Sequence, residues 1–213
     1  MIERLLPTPV ASAETREKLL EIELFPEEER VVDGAVEKRR HEFTTGRACA
    51  RRALQKLGVA PTPVASGARG EPLWPPAVVG SITHCRGYAA SAVAHAGDLA
   101  ALGIDAEPNE ALPPGVLARV AFGAERELPS TNEATHLDRL LFSAKEAVYK
   151  AWFPLTERSL FFDQVHISFE SSEEFVAAFL VEAPMIQDRQ LTEVRGRWSL
   201  CAGVLLTAVA VPL

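Results

Sequence analysis

FSAKEAVYK, residues 142–150, decides the architecture, because FTTGRACAR at residues 43–51 runs in step with it. Phe142, Glu146, Ala147 and Lys150 take the same steps as Phe43, Arg47, Ala48 and Arg51. Both stretches sit inside runs of good helix formers, so each predicts a helix. Each helix is followed by short β-branched and alanine-rich runs separated by glycine turns, which predict antiparallel strands. The expected fold is therefore α+β: a pseudo-dimer of two similar halves, residues 1–103 and 104–213, each a long helix packed on a small antiparallel sheet. A pseudo-symmetric chain of this kind binds its ligand in the cleft between the halves.

Outward from these helices the punctuation is consistent. The first helix is expected over 35–57, ending at Gly58 with Pro61 beyond, and the first third of the chain reads as helical throughout. A Pro- and Gly-rich loop over 60–76 leads to strands at 78–83, 88–94 and 100–106. After Pro108 come short helical pieces at 116–120 and 124–128. The second long helix is expected over 133–152, stopped by Pro154. Strands follow at 165–169, 175–181, 198–201 and 204–211.

About half the residues are apolar (47%), enough for a packed core and too many for a disordered chain. The net charge of −7 argues against nucleic-acid binding, which needs a basic surface. Cys49, Cys85 and Cys201 have no paired spacing, so neither a disulfide framework nor a metal motif is expected, and reduced thiols fit a cytoplasmic protein. The opening MIERLLPTPV lacks the apolar core of a secretory leader, and the uncharged run over 199–213 is too short to span a membrane.

Four groups of residues carry chemistry. In GIDAEP, residues 103–108, strand alternation puts Asp105 and Glu107 on one face. Such a pair is either a solvated strand end or an oxygen-only site for a cation such as magnesium. On the second helix, Glu146 and Lys150 stand one turn apart and off the apolar stripe of Leu137, Leu140, Leu141, Ala144, Val148, Ala151 and Trp152. They read as a surface ion pair, or as a base or metal ligand beside a phosphate-binding lysine, with Lys145 as a second cation. Thr83 and His84 close the run GSITHC, and Arg39 and Arg47 lie about two turns apart on the first helix. Each pair is a structural feature or a phosphate contact. The Walker loop, G-x-G-x-x-G and the nucleophile elbow are absent, so any phosphate must be held by side chains and metal.

The order GRACARRAL, RGEPLWP, GSITHC, GIDAEP, FSAKEAVYKAWFPLT resembles the Sfp/EntD-type 4′-phosphopantetheinyl transferases, above all their actinobacterial branch serving polyketide, nonribosomal peptide and lipid synthesis, with siderophore synthesis among the expected pathways. The resemblance implies transfer of 4′-phosphopantetheine from coenzyme A to a serine of apo acyl or peptidyl carrier proteins, and the internal pseudo-symmetry makes a monomer the expected state. Asp105, Glu107 and Glu146 would bind magnesium, or manganese in its place. Lys145 and Lys150 would contact phosphates, with Glu146 and Lys150 serving catalysis. His84 and Thr83 would hold the 3′-phosphate with Arg39 and Arg47, and Gly70, Glu71 and Pro72 would lie against the adenine. One departure concerns the adenine side, where relatives often carry a lysine and this chain has Ser66 and Glu71, leaving Arg69 as the substitute. The same residues would also serve a magnesium-dependent phosphodiesterase or a non-catalytic coenzyme A-binding module. Val116, Leu117, Val120 and Phe122, after the acidic motif, are candidates for docking the carrier protein.

Overall fold

The computed structural model describes residues 1–17, 22–129, 131–132 and 134–213. A 3-10 turn at Ile2–Leu5 leads into β1 (Ala11–Thr15), the short helix α1 (Pro26–Glu29) and the long helix α2 (Glu37–Lys56). A ribbon of β2 (Ala65–Ser66) and β3 (Pro72–Leu73) precedes β4 (Val78–Cys85), β5 (Tyr88–His95) and β6 (Leu99–Pro108). Next come α3 (Leu117–Val120), a 3-10 turn at Gly123–Glu127, the ribbon β7 (Thr131–Asn132) and β8 (Thr135–His136), and the long helix α4 (Leu137–Thr156). The chain finishes with β9 (Val165–Phe169), β10 (Glu174–Phe179), the ribbon β11 (Met185–Ile186) and β12 (Arg189–Gln190), β13 (Glu193–Cys201) and β14 (Val204–Pro212). Two antiparallel sheets carry the fold, one ordered β1-β5-β4 and the other β6-β14-β13-β10-β9.

Strand alternation explains how these elements stack. On β5, Val93 packs with Ala50, Ala53 and Leu54 of α2, while Ala90 and Ala92 turn toward Leu102 and Ile104 of β6 and Leu206 of β14. On the other face of the second sheet, Ala101, Val209 and Val211 meet Leu141, Ala144, Val148 and Trp152 of α4. Packing therefore runs helix, sheet, sheet, helix. Each valine, leucine or isoleucine buried in these layers contributes about 1.5–3 kcal/mol, and each alanine methyl about 0.8 kcal/mol. Gly103 lets α4 lie directly on β6: a Cβ there would stand 1.9 Å from the carbonyl oxygen of Ala147.

Where β4 runs beside β6 there is no backbone ladder. Two hydroxyls make the join instead. Ser81 Oγ accepts the amide of Ile104 at 3.1 Å, and Thr83 Oγ1 accepts that of Ala106 at 2.9 Å.

Several expectations are corrected. The first third is not helical throughout, since β1 is a strand on β5 and α1 has only four residues. The Ala and Ser of β1 give no hydrophobic alternation to read, and their burial depends on the equally small side chains of β5. Pro154 does not stop α4, which runs on to Thr156 and ends at Glu157 in the left-handed conformation (φ 53°). The proline is exposed and lies in the last turn, so it removes one amide bond and only two helical residues follow it. The expected start of that helix at residue 133 lies outside the described residues. β13 begins at Glu193, five residues before the expected strand. All three cysteines are free, and burial raises the Cys49 thiol to about 11 and the Cys85 thiol to about 12. Among the described residues, no helix is long and apolar enough to cross a membrane.

Candidate functional site

A groove of about 820 Å³ opens between α2, the loop over 66–74, β4 and α4. Both long helices present a stripe to it at helical spacing: Arg39, Glu42, Phe43, Gly46 and Arg47 from α2, and Glu146, Tyr149, Lys150 and Phe153 from α4. The floor is the face of β4 that carries Val78, Gly80, Ile82 and His84. Gly46 allows α2 close over this strand, because a Cβ there would meet Ile82 at 3.1 Å. Trp74 packs against Gly80, where a Cβ would stand 2.8 Å from its ring, and donates from Nε1 to the Gly80 carbonyl at 2.9 Å. The outer wall carries Arg69, Gly70, Glu71 and Pro72. Arg69 crosses toward α4, its guanidinium 5.6 Å from the Phe153 ring and bonded to Ser159.

The structure thus gathers Arg39, Arg47, Gly70, Glu71, Pro72, His84, Glu146 and Lys150 around one groove. Of the positions paired by the repeat, Arg47 and Glu146 both face it, whereas Arg51 turns away to Glu28. Beside the groove, on the α4 face of β6, Asp105 is buried and heavily used. Lys150 Nζ donates to its Oδ1 at 2.7 Å, Thr83 Oγ1 to Oδ1 at 3.3 Å, and Ser143 Oγ to Oδ2 at 2.9 Å. Thr207 on β14 holds Ser143, donating to its carbonyl at 3.0 Å. Ser143 and Thr207 escaped notice in the sequence, where an isolated hydroxyl on an apolar helix or strand carries no signal.

The electrostatics are those of crowded acids. Burial raises the pKa of Glu146, the charge of Asp105 raises it further, and Lys150 opposes both. Glu107 is raised by burial and by Asp105, against Arg139, which bonds it at 2.9 Å. Glu146 has no hydrogen-bond partner among the described residues. Its oxygen donors, free of any hydrogen bond, suit a hard cation. Even so, among the described residues no three acidic, imidazole or thiol side chains are gathered closely enough to hold a metal ion. Burial lowers the pKa of His84, Lys150 and Arg39 lower it too, and Glu42 and Asp105 pull the other way.

Three expected residues stand elsewhere. Lys145 is fully buried and faces away from the groove: its Nζ donates to Glu125 at 2.6 Å and to the carbonyls of Phe162 and Val120 at 2.7 and 2.9 Å. Its place one turn from Leu141 and three residues before Val148 puts it inside the apolar stripe, a signal the sequence did contain. Thr83 points to the opposite face of β4 from His84, as consecutive strand residues must, and its hydroxyl is spent on Asp105 and Ala106. Glu107 faces Arg139 and does not line the groove. The apolar candidates for docking are largely internal as well. Val120 is buried, Val116 and Leu117 pack against the core under α4, and Phe122 lies half-buried 5.7 Å from both Lys145 and Arg126.

Comparison with known proteins bears on what such a groove is for. Residues 27–94 match the family described as the 4′-phosphopantetheinyl transferase N-terminal domain, and residues 101–202 match the 4′-phosphopantetheinyl transferase superfamily. The chain is 51% identical to the 4′-phosphopantetheinyl transferase Svp of Streptomyces mobaraensis, over 88% of this chain and 78% of the relative. It is 47% identical to the 4′-phosphopantetheinyl transferase Npt of Nocardia iowensis over 99% of both chains. Identity to the 4′-phosphopantetheinyl transferase PptT of Mycobacterium tuberculosis is also 47%, over 87% of this chain and 85% of the relative. The first matched segment ends in β5 and the second begins in β6, where the first sheet gives way to the second, and between them they contribute every wall of the groove. On that agreement of sequence and architecture, the chain belongs to the 4′-phosphopantetheinyl transferase superfamily.

Proposed function

We propose that this protein transfers the 4′-phosphopantetheine moiety of coenzyme A to a serine of apo acyl or peptidyl carrier proteins, releasing 3′,5′-ADP. The observation that carries this reading is the groove itself. It is large enough for a nucleotide, has Arg39, Arg47 and Arg69 along its walls, and ends at Lys150, Glu146 and the buried Asp105. Arginine forks match phosphate oxygens, so Arg39 and Arg47, with His84, hold the 3′-phosphate while the loop of Gly70, Glu71 and Pro72 covers the adenine. Arg69 supplies the positive charge on that side. Lys150 contacts the pyrophosphate.

The reaction needs one proton moved and one bond exchanged. The serine Oγ bonds to the β-phosphorus, the bond from that phosphorus to the bridging oxygen breaks, and the electron pair leaves on 3′,5′-ADP. Glu146 takes the serine proton, directly or through a water, and its raised pKa brings it nearer the working range of a base. Lys150 offsets charge gathering on the leaving phosphate. Asp105, Glu107 and Glu146 are the carboxylates that would serve a magnesium ion, which when bound would neutralise charge on the pyrophosphate, although as they stand the three are not gathered closely enough to hold it and Glu107 is bonded to Arg139. Ser143, Thr83 and Lys150 keep the Asp105 carboxylate oriented.

The fold is read as a pseudo-dimer of two halves, residues 1–103 and 104–213, with coenzyme A in the cleft. The internal pseudo-symmetry makes a monomer the reading for the oligomeric state. The acidic surface leaves no role for nucleic acid, and the reduced thiols suit the cytoplasm. The test is incubation with coenzyme A, magnesium and a panel of apo carrier proteins, read by mass spectrometry. The expected result is a phosphopantetheine adduct on a carrier serine. Free phosphopantetheine with unmodified carriers indicates a phosphodiesterase instead, and binding without turnover a coenzyme A-binding module.

A further inference from the structure

Glu28 lies outside the groove, yet its carboxylate reaches the segment that carries the groove's outer wall. The side chain is fully buried. Oε1 accepts the amide of Val64 at 2.9 Å, and Oε2 accepts the amide of Phe25 at 3.0 Å and the guanidinium of Arg51. On the other side of the same residue, the Val64 carbonyl accepts Arg47 Nε at 2.5 Å. Both backbone groups of Val64 are therefore held by side chains and not by a strand ladder. Arg47 goes on to donate to Ser66 Oγ at 3.0 Å.

Directly after Val64 comes the ribbon of β2 and β3, two residues a strand, which carries Arg69, Gly70 and Glu71 at its tip. So short a ribbon has no stability of its own, and its place is set by its anchors. Trp74, bonded to Gly80, is the anchor on one side, and Val64 is the anchor on the other. Arg47 depends on Glu28 in a second way. Burial pulls the Arg47 pKa down to about 10, and the charge of Glu28 works against that pull.

We infer that Glu28 is a positioning residue for the nucleotide side of the groove: it fixes Val64, and through Val64 and Arg47 it fixes the wall formed by the β2–β3 ribbon. The inference rests on the groove being the coenzyme A site. None of the Glu28 hydrogen bonds involves Asp105, Glu146 or Lys150, so its loss acts on binding and not on the chemical step.

The test is Glu28→Gln, which keeps the shape but turns an amide donor toward groups that are themselves donors. The expected outcome is a rise of about tenfold in both KM and Kd for coenzyme A, the scale of one buried hydrogen bond left unmade, with kcat within about twofold. Amide exchange over residues 64–73 should quicken while β4 and β5 stay as they are. The double variant Glu28→Gln/Arg51→Met removes the stranded cation and carries the test if the single variant fails to fold; it should show the same rise in KM. An unchanged KM, a fall in kcat that matches the rise in KM, or faster exchange throughout β4 and β5 overturns the proposal. So does parental affinity in the double variant, which would assign the effect to an unpaired Arg51. Calorimetry on the parent separates the two readings: a parent that does not bind coenzyme A defeats the coenzyme A reading, and the exchange measurement still decides whether Glu28 holds the wall.

Discussion

Glu146 and Lys145 are neighbours in sequence and opposites in circumstance. Glu146 is raised in pKa because its ionised form is disfavoured by burial and by Asp105. That penalty is fully present above the folded pKa and fades as pH falls through it. Glu146→Gln should therefore raise the melting temperature of the cation-free protein above neutral pH, by an amount that shrinks on acidification. The same variant should lose about a hundredfold or more in carrier labelling, the scale of a missing general base. Added magnesium should raise the melting temperature of the parent more than that of the variant; equal shifts would remove Glu146 from the cation site. Lys145→Met should do the reverse. It strands Glu125 in the core, a loss of about 3–5 kcal/mol, with KM for coenzyme A unchanged in whatever remains folded. A stable Lys145→Met protein with weakened coenzyme A binding would return this lysine to the phosphates.

His84 gives the groove a pH signature. Its pKa lies below the ordinary imidazole value, so it is neutral in the free protein at neutral pH. A phosphate dianion placed against it raises that pKa, and binding then takes up a proton. Affinity for coenzyme A should rise as pH falls through the window between the free and bound values. Calorimetry in buffers of different ionisation heat should show proton uptake with coenzyme A and less with its 3′-dephospho form. Equal uptake for the two ligands would free His84 from reading the 3′-phosphate.

At the scale of elements, α4 matters through its contact with β6. Gly103 faces the Ala147 carbonyl, one residue along from Glu146 and one turn before Lys150. Gly103→Ala has no room, so the helix must lift. The expected cost is about 1–3 kcal/mol or more, with a fall in kcat because Glu146 and Lys150 ride on the displaced turns. Thermal melts and carrier kinetics on the one variant check both parts. The long helices were legible because their apolar stripes repeat over several turns, and β4, β5 and β6 because glycine turns bound them. β13 alternates Glu193, Arg195 and Arg197 outward with Val194 and Gly196 inward, yet was expected only from residue 198. The glycine hid the pattern: it replaces an inward apolar residue to make room for the Phe175 ring, which a Cβ at Gly196 would meet at 2.1 Å. The candidate site was legible as a set of residue types, and strand phase separated Asp105 from its neighbours correctly. Helical phase, applied to Lys145, would have taken that residue out of the set. What no local pattern contained was the Glu28–Val64–Arg47 chain, whose members are 36 and 17 residues apart.

At the scale of the molecule, the segment after β6 belongs to the body of the fold and not to a free docking face. Leu117→Glu should destabilise the protein, since Leu117 and Val116 pack against the core that Trp152 and Val148 build. A folded Leu117→Glu enzyme with normal coenzyme A affinity and a raised KM for the carrier would restore the docking role.

The two sheets meet along a seam stitched by Ser81 and Thr83. Paired strands keep one spacing whatever their side chains, because the backbone sets it. A hydroxyl stitch has no such protection: a single codon can lengthen it, shorten it or delete it. The interval between β4, which carries His84, and β6, which carries Asp105, is thus written in side chains. Across a lineage, the span between those two side chains can drift or be selected without any change in the strand pairing of either sheet.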